Sequence, residues 1–240
     1  MQIETLTLWT QKQGSSEEEY EDAAWPLEPV SMEAERFSCA IADGASESSF
    51  ARDWARILVE GLSTGRALEK MKDEWQRGIQ GRDLPWYAEQ KAITGAFAAI
   101  LHLHLESADS GTGGAWWAGA VGDCCLFHMR DNRLLASHPL RFPEQFDNSP
   151  ALISSVNPDQ PPELKVEGTW RSGDSFILAS DALALWALER RSTRLERLLR
   201  LVTQDELKEL AEAERLERKS DGRMAMRNDD VTFLKLEVVN

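Results

Sequence analysis

Four aspartates in this chain share one setting. They are Asp22 in YEDAA, Asp43 in AIADGAS, Asp123 in AVGDCC and Asp181 in ILASDAL. A fifth, Asp229, stands just before the final apolar run in RNDDVTFLKL. Each lies at the edge of an apolar stretch, beside small or turn-forming residues. Taken singly, an aspartate next to a glycine is an ordinary turn residue, and Asp131 and Asp174 are read that way. Taken as an ordered set, carboxylates at strand ends are held on rigid backbone and can point into one cleft. Hard divalent cations such as Mg2+ and Mn2+ seek oxygen ligands and keep several waters. Two such ions about 3.5–4 Å apart can share one bridging water and lower its pKa. The chemistry implied is hydrolysis by a metal-activated hydroxide, with no covalent intermediate.

Other chemistries find less support. His102 and His104 are two apart in a segment read as helix, a spacing that sends them to different faces and argues against a shared metal. Cys39, Cys124 and Cys125 lack metal-ligand spacing and basic surroundings, so they read as small buried hydrophobes. No Gly-x-Ser-x-Gly elbow and no phosphate-cradling Gly-rich loop occurs. Trp116 and Trp117 alternate in a strand, so one of them belongs to the core.

The ordered set resembles the metal-dependent protein phosphatases of the type 2C, or PPM, family. Tyr20-Glu21-Asp22-Ala23 is similar to the family's Asn-Glu-Asp-Ala tetrapeptide. Ile41-Ala42-Asp43-Gly44-Ala45 looks like its apolar strand ending in Ala-Asp-Gly. Val121-Gly122-Asp123-Cys124 resembles its Val-Gly-Asp-Ser hairpin turn. Gly173-Asp174 followed by Ile177 to Leu183 resembles its Gly-Asp, apolar strand, Ser-Asp-Gly-Leu element. Asp229-Asp230-Val231-Thr232 resembles its closing Asp-Asn-x-Ser/Thr strand. The resemblance implies a sandwich of two antiparallel sheets with helices outside (α+β, α-β-β-α) in one domain over residues 1–240. It also implies two or three Mg2+ or Mn2+ ions. Asp43 would bridge two of them, with Gly44 adding its carbonyl. Asp22 and Glu21 would reach one ion directly or through water. Asp181 and Asp229 would hold the first, and Asp123 a looser third. The implied activity is hydrolysis of phosphoserine and phosphothreonine in proteins that are targets of a cognate kinase. The alternative is a regulatory module that kept the fold and lost turnover.

The sequence departs from that pattern in places. Many members carry an arginine five residues before the first-motif aspartate, to grip the substrate phosphate; here the position is Glu17, and a carboxylate cannot replace a guanidinium fork. Ala182 replaces the glycine after Ser-Asp, and Asp230 replaces the final asparagine. The span from Asp123 to Asp181 is short, which predicts a reduced substrate-side flap.

Strands are expected at Ile3–Trp9, Arg36–Ala42, on either side of Gly122-Asp123, at Arg133–Ser137 and at Val231–Val238. Leu164–Trp170 and Ser175–Ala179 are expected to form a hairpin around Ser172-Gly173-Asp174. Ser46 is placed to cap a helix in which Phe50, Trp54, Ile57 and Leu58 recur at helical spacing. Further helices are expected at Ala67–Ile79, at Tyr87–Leu105 around the apolar run GAFAAIL, and in pieces from Asp181 to Ala213. Residues 139–162 read as an irregular, proline-rich loop. Strands first, in the middle and last, with helical blocks between, favour antiparallel sheets over a doubly wound parallel one.

Composition narrows the partners. The 240 residues carry a formal net charge of −14, which disfavours duplex nucleic acid and anionic lipid. The opening MQIETLTLWTQKQG lacks the basic and apolar regions of a secretory signal. The expectation is a cytoplasmic monomer acting on a phosphorylated protein.

Overall fold

The computed structural model describes residues 1–45, 50–80, 82, 92–108, 113–147 and 149–239. The chain opens with β1 (Gln2–Thr10), β2 (Ala23–Trp25), β3 (Val30–Glu33) and β4 (Arg36–Gly44), followed by α1 (Ala51–Ser63) and α2 (Leu68–Gln80). Next come β5 (Phe97–Ser107), β6 (Gly113–Val121), β7 (Cys125–Arg130) and β8 (Arg133–His138). The short β9 (Ile153–Ser154) precedes β10 (Leu164–Arg171) and β11 (Ser175–Ala179). The chain closes with α3 (Asp181–Glu189), α4 (Arg191–Leu199), α5 (Gln204–Leu216) and β12 (Val231–Val239).

The strands form two antiparallel sheets, ordered β3-β1-β12-β11-β7-β8 and β10-β6-β5-β4-β2, with β9 also paired to β5. Ile41, Leu101, Leu103 and Trp116 of the second sheet pack against Phe176, Leu178, Leu234 and Leu236 of the first. The outer face of the second sheet presents Ala40, Ala42, Ala98 and Ile100 to Trp54, Leu58 and Met71 of α1 and α2. The outer face of the first presents Leu8, Phe127, Ile177 and Phe233 to Leu183, Trp186, Leu198 and Leu207 of α3–α5. The layering is helix, sheet, sheet, helix, as expected. Helix α1 forms because Trp54, Ala55, Leu58 and Val59 repeat on one buried stripe. Trp54 Nε1 also donates to the Ile153 carbonyl at 3.0 Å. The expected cap Ser46 lies outside the described residues.

The helix expected over Tyr87–Leu105 is corrected by β5, which occupies Phe97–Ser107. This strand is buried on both faces: Ala98 and Ile100 meet α1, while Ala99, Leu101 and Leu103 meet the opposite sheet. A strand apolar on both sides loses the period of two, and a short apolar run then looks like a buried helix.

The same correction brings the two histidines onto one face, because residues two apart in a strand point the same way. His102 Nδ1 lies 2.8 Å from His104 Nε2, and His104 Nδ1 lies 2.6 Å from Ser38 Oγ. His102 Nε2 bonds Glu163. Burial holds both imidazoles below their ordinary pKa, His104 at about 4 with His102 adding to the effect. With the rings neutral and Glu163 ionised, protons can run in one sense, from Ser38 to His104 to His102 to Glu163. Trp117 stacks on His104 with ring centroids 4.0 Å apart.

The expected hairpin of β10 with β11 is also corrected. β10 pairs with β6 and β11 pairs with β7 and β12, so the turn at Ser172–Asp174 carries the chain between sheets. Asp174 is more than a turn residue. Its carboxylate accepts from Arg130 Nε (2.6 Å) and Nη2 (2.7 Å) and from the Arg171 amide (2.9 Å), and lies 2.8 Å from His128 Nε2.

Candidate metal centre

The sandwich gathers the five singled-out aspartates at one end. Asp43 lies in the last rungs of β4, where Asp43 pairs with Ala99 and Gly44 with Ala98. Ala23 pairs with Ala42, which sets Asp22 beside Asp43. Asp123 follows β6, Asp181 follows β11, and Asp229 precedes β12. Val121 is in register with Ile100, and Ala179 with both Cys125 and Phe233. These pairings put all five strand ends on the same edge. The turn at Gly122-Asp123 is not the expected hairpin: β6 belongs to one sheet and β7 to the other, so Asp123 stands where the chain crosses over. Gly122 has φ +102, and a Cβ there would lie 2.4 Å from that of Ala99. This crossing therefore requires glycine.

Side chains from distant segments orient the acids. The Thr232 hydroxyl donates to Asp22 Oδ2 at 2.6 Å, leaving the Tyr20 hydroxyl to donate to Thr232 Oγ1, also at 2.6 Å. Thr232 N donates to Ser180 Oγ at 2.9 Å, and Ser180 N returns a bond to the Thr232 carbonyl at 3.1 Å. That pair fixes the residue before Asp181. Asp230 had no role in the sequence beyond replacing an asparagine. Its carboxylate accepts the amides of Lys12 and Glu21, each at 2.8 Å, tying the loop before Asp22 to the last strand. Arg215 donates to the carbonyls of Asp229 (2.5 Å) and Gln11 (3.1 Å). The Asp230 contacts and the bond from Arg215 to Gln11 span more than 200 positions, so periodicity carried no sign of them.

The electrostatics are those of an uncompensated acidic cluster. Asp43 is pushed well above the carboxylate range by burial and then by Asp22, Asp181, Asp123 and Asp229. Asp22 is raised by burial and Asp230, against the Thr232 hydrogen bond. Asp123 is pushed up to about 7 by burial and Asp181. Asp181 is raised to about 6 by burial and Asp229, with Arg227 opposing at 3.3 Å. Cys124 and Cys125 are raised by burial, with the acids adding to it, so neither thiol is poised to ionise.

Two observations bear on whether cations fit. Asp181 Oδ1 is buried and, among the described residues, has no hydrogen-bond partner; a lone carboxylate oxygen of that kind is costly unless something positive meets it. Among the described residues, no three His, Cys, Asp or Glu side chains converge tightly enough to clasp an ion. What the cluster does offer is carboxylate oxygen, the donor that hard divalent cations take. Asp43, Asp22, Asp123, Asp181 and Asp229 supply oxygen only. The Glu21 carboxylate pairs with Lys12 Nζ at 3.5 Å. Its carbonyl oxygen lies close to Gly44, where a Cβ would come within 2.6 Å of it. Glu17 opens a short 3-10 turn, Glu17–Glu19, and is exposed. Arg52 donates to the Glu18 carbonyl at 3.0 Å and, with Arg56, lines a cavity of about 100 Å3 that also touches Tyr20 and Asp22.

A stability test follows from the raised carboxyls. In the metal-free folded state they keep protons that the unfolded chain releases near pH 4. The folded state therefore binds more protons, and its stability falls as pH rises from about 4 to about 7. A thermal melt with chelator should show Tm declining across that window. Mn2+ at about a hundred times its Kd should add about 2.7 kcal/mol, and should restore Tm more at pH 8 than at pH 5.5.

No protein-family model and no curated protein matches the chain. Solved structures do match. The photosystem II phosphatase PBCP superposes with a TM-score of 0.61 at 16% identity, covering 98% of both chains. The catalytic domain of the serine/threonine phosphatase PstP, in complex with two manganese ions, gives 0.60 at 14% identity, covering 100% of this chain and 99% of that one. PppA, a regulatory component of the type VI secretion system in Pseudomonas aeruginosa, gives 0.59 at 15% identity, covering 99% and 98%. At these identities the likeness is one of fold: this chain has the two-sheet, helix-flanked architecture of the type 2C serine/threonine phosphatases.

Proposed function

We propose that this protein is a Mg2+- or Mn2+-dependent phosphatase that hydrolyses phosphoserine and phosphothreonine in proteins. The observation that carries the reading is the meeting of five strand-end aspartates on one edge of the sandwich, with one buried Asp181 oxygen left unpaired. A fold shared with phosphatases supports it, but a fold hosts many functions and the site must decide.

Divalent cations bound here would supply a water acidic enough to attack phosphorus near neutral pH. The chain's own groups do the rest. Asp43 offers carboxylate oxygens at the centre of the cluster, between Asp22 and Asp181. Thr232 and Tyr20 fix the Asp22 carboxylate, and Ser180 fixes the backbone that presents Asp181. Asp230 holds the Glu21 amide and so sets the height of Asp22 over the site. Asp229 completes the oxygen set beside Asp181, Asp123 lies at its outer edge, and the Gly44 carbonyl is one further donor. Arg52 and Arg56 place positive charge on the Asp22 side, where it favours a phosphate dianion.

The test is phosphate release from a phosphothreonine peptide and from p-nitrophenyl phosphate by purified protein. Release is expected with Mn2+ and not with chelator; no release from either substrate would refute the reading.

One observation favours a second reading, a regulatory module with weak turnover. Glu17 puts a carboxylate where a phosphate-gripping arginine is expected. If the turn at Glu17–Glu19 faces the substrate, Glu17→Arg should lower KM by on the order of tenfold, the worth of one charge-assisted contact. An unchanged KM would place that turn outside the substrate path.

A further inference from the structure

We infer that the cleft beside Asp181 receives an acidic flank of the phosphorylated polypeptide, so that substrate choice depends on Asp or Glu on one side of the phosphoresidue. The inference rests on the proposed activity and names its substrate class. The cleft has a volume of about 730 Å3. Its floor is apolar, with Phe146, Ala182, Leu185, Trp186 and Met226, and its rim carries Arg218, Lys219, Arg223 and Arg227 against Glu144 and Glu189. In a chain of net charge −14, residues 218–227 hold four cations against Asp221. Arg227 ties the rim to the proposed centre through its contact with Asp181.

This basic segment is held in place. Arg218 and Met224 bridge as antiparallel partners, Lys219 N donates to Arg223 O at 2.8 Å, and Met226 N donates to Glu214 O on α5 at 3.0 Å. Its cations are only lightly engaged. Arg223 pairs with Asp221 at 2.7 Å, but both side chains are exposed, 77% and 44%. Exposed pairs of that kind contribute little and yield readily to other carboxylates. Arg218 donates to the Gly222 carbonyl at 3.2 Å. Only Lys219 is firmly matched, by Glu189 at 2.6 Å.

The opposite side of the cluster has the other character. A second cavity, of about 250 Å3, adjoins Asp123 and is lined by Leu140, Gln145, Asp147 and Pro150. Among the described residues its lining has the carboxylates of Asp123 and Asp147 and no cation. The turn at Pro143–Gln145 contributes to both cavities. A polypeptide crossing the centre thus meets positive charge on the Asp181 side and negative charge on the Asp123 side. Charge complementarity of this form selects partners and orientation.

The experiment uses three labelled peptides with a non-hydrolysable phosphonate in place of the phosphothreonine. They carry aspartates on the N-terminal side, aspartates on the C-terminal side, or neither. Fluorescence anisotropy with Mn2+ reads the Kd of each. One of the two acidic peptides should bind on the order of tenfold more tightly than the neutral one. The variant Arg218→Glu/Arg223→Glu should erase that preference and leave p-nitrophenyl phosphate turnover and Tm unchanged. Equal binding of the three peptides, or a preference that survives the double substitution, would overturn the inference. If the wild type hydrolyses nothing, the phosphatase reading fails, yet the binding comparison still decides the charge preference.

Discussion

Asp43→Asn is expected to abolish metal-dependent turnover while stabilising the metal-free protein. The two effects share one cause. Asp43 stands where Asp22, Asp181, Asp123 and Asp229 all act on it, and burial adds to their repulsion. In the metal-free fold Asp43 keeps a proton that the unfolded chain releases; an amide has no such cost, so the substitution should stabilise the fold at neutral pH by on the order of 1 kcal/mol. With cations present the same change would remove the carboxylate proposed to hold them. A rate loss of about a thousandfold or more should follow, roughly 4 kcal/mol of transition-state stabilisation. Rates in Mn2+ and melts in chelator, run on the same preparation, check both. Retained turnover would refute the role given to Asp43. A lower metal-free Tm would refute the account of repulsion.

Asp174→Ala should do the reverse, costing stability and sparing the chemistry. Asp174 is 1% exposed and meets Arg130, His128 and the Arg171 amide. Burial alone would raise its pKa; its partners more than offset this and hold it below the usual carboxylate range. Deleting the carboxylate leaves the part-exposed Arg130 and the His128 ring without the partner they share, a loss of charge-assisted hydrogen bonds that costs about 1.5–3 kcal/mol. At about 2–4 °C per kcal/mol for a chain of this size, Tm should fall by roughly 3–12 °C. The turnover of the folded fraction at 25 °C should not change. The depressed pKa also fixes the pH sense: this stability is present above about pH 4 and is lost as pH falls through the folded value. A Tm within two degrees of wild type would show that the ionic cluster is dispensable.

How much of this was legible in the sequence depends on whether a feature is local. Asp43-Gly44 could be read because a short apolar strand runs straight into it, and Asp181 because it follows a compact apolar stretch and opens a helix. The order of strands and helical blocks pointed to antiparallel sheets flanked by helices, and the two-layer sandwich came from the family resemblance. Strand β5 could not be read from its pattern, since burial on both faces erases the alternation that marks a strand. The loss carried over to His102 and His104, whose side chains share a face only if the backbone is extended. The partners of β10 and β11 were also hidden, because a Gly-Asp turn looks the same whether it joins neighbours or crosses between sheets. Asp230, Thr232 and Arg215 were invisible as positioning groups, since their contacts reach residues around 200 positions away. The run of cations at residues 218–227 is plain in the sequence, but only the fold sets it against the apolar floor beside Asp181.

The most direct test of the central claim is a calorimetric titration of Mn2+ into the metal-free protein, repeated with Asp43→Asn. At least two binding events are expected in the wild type, both severely weakened in the variant, because Asp43 is the carboxylate proposed to serve both cations. Absence of binding in the wild type, or identical binding in the two proteins, would contradict it.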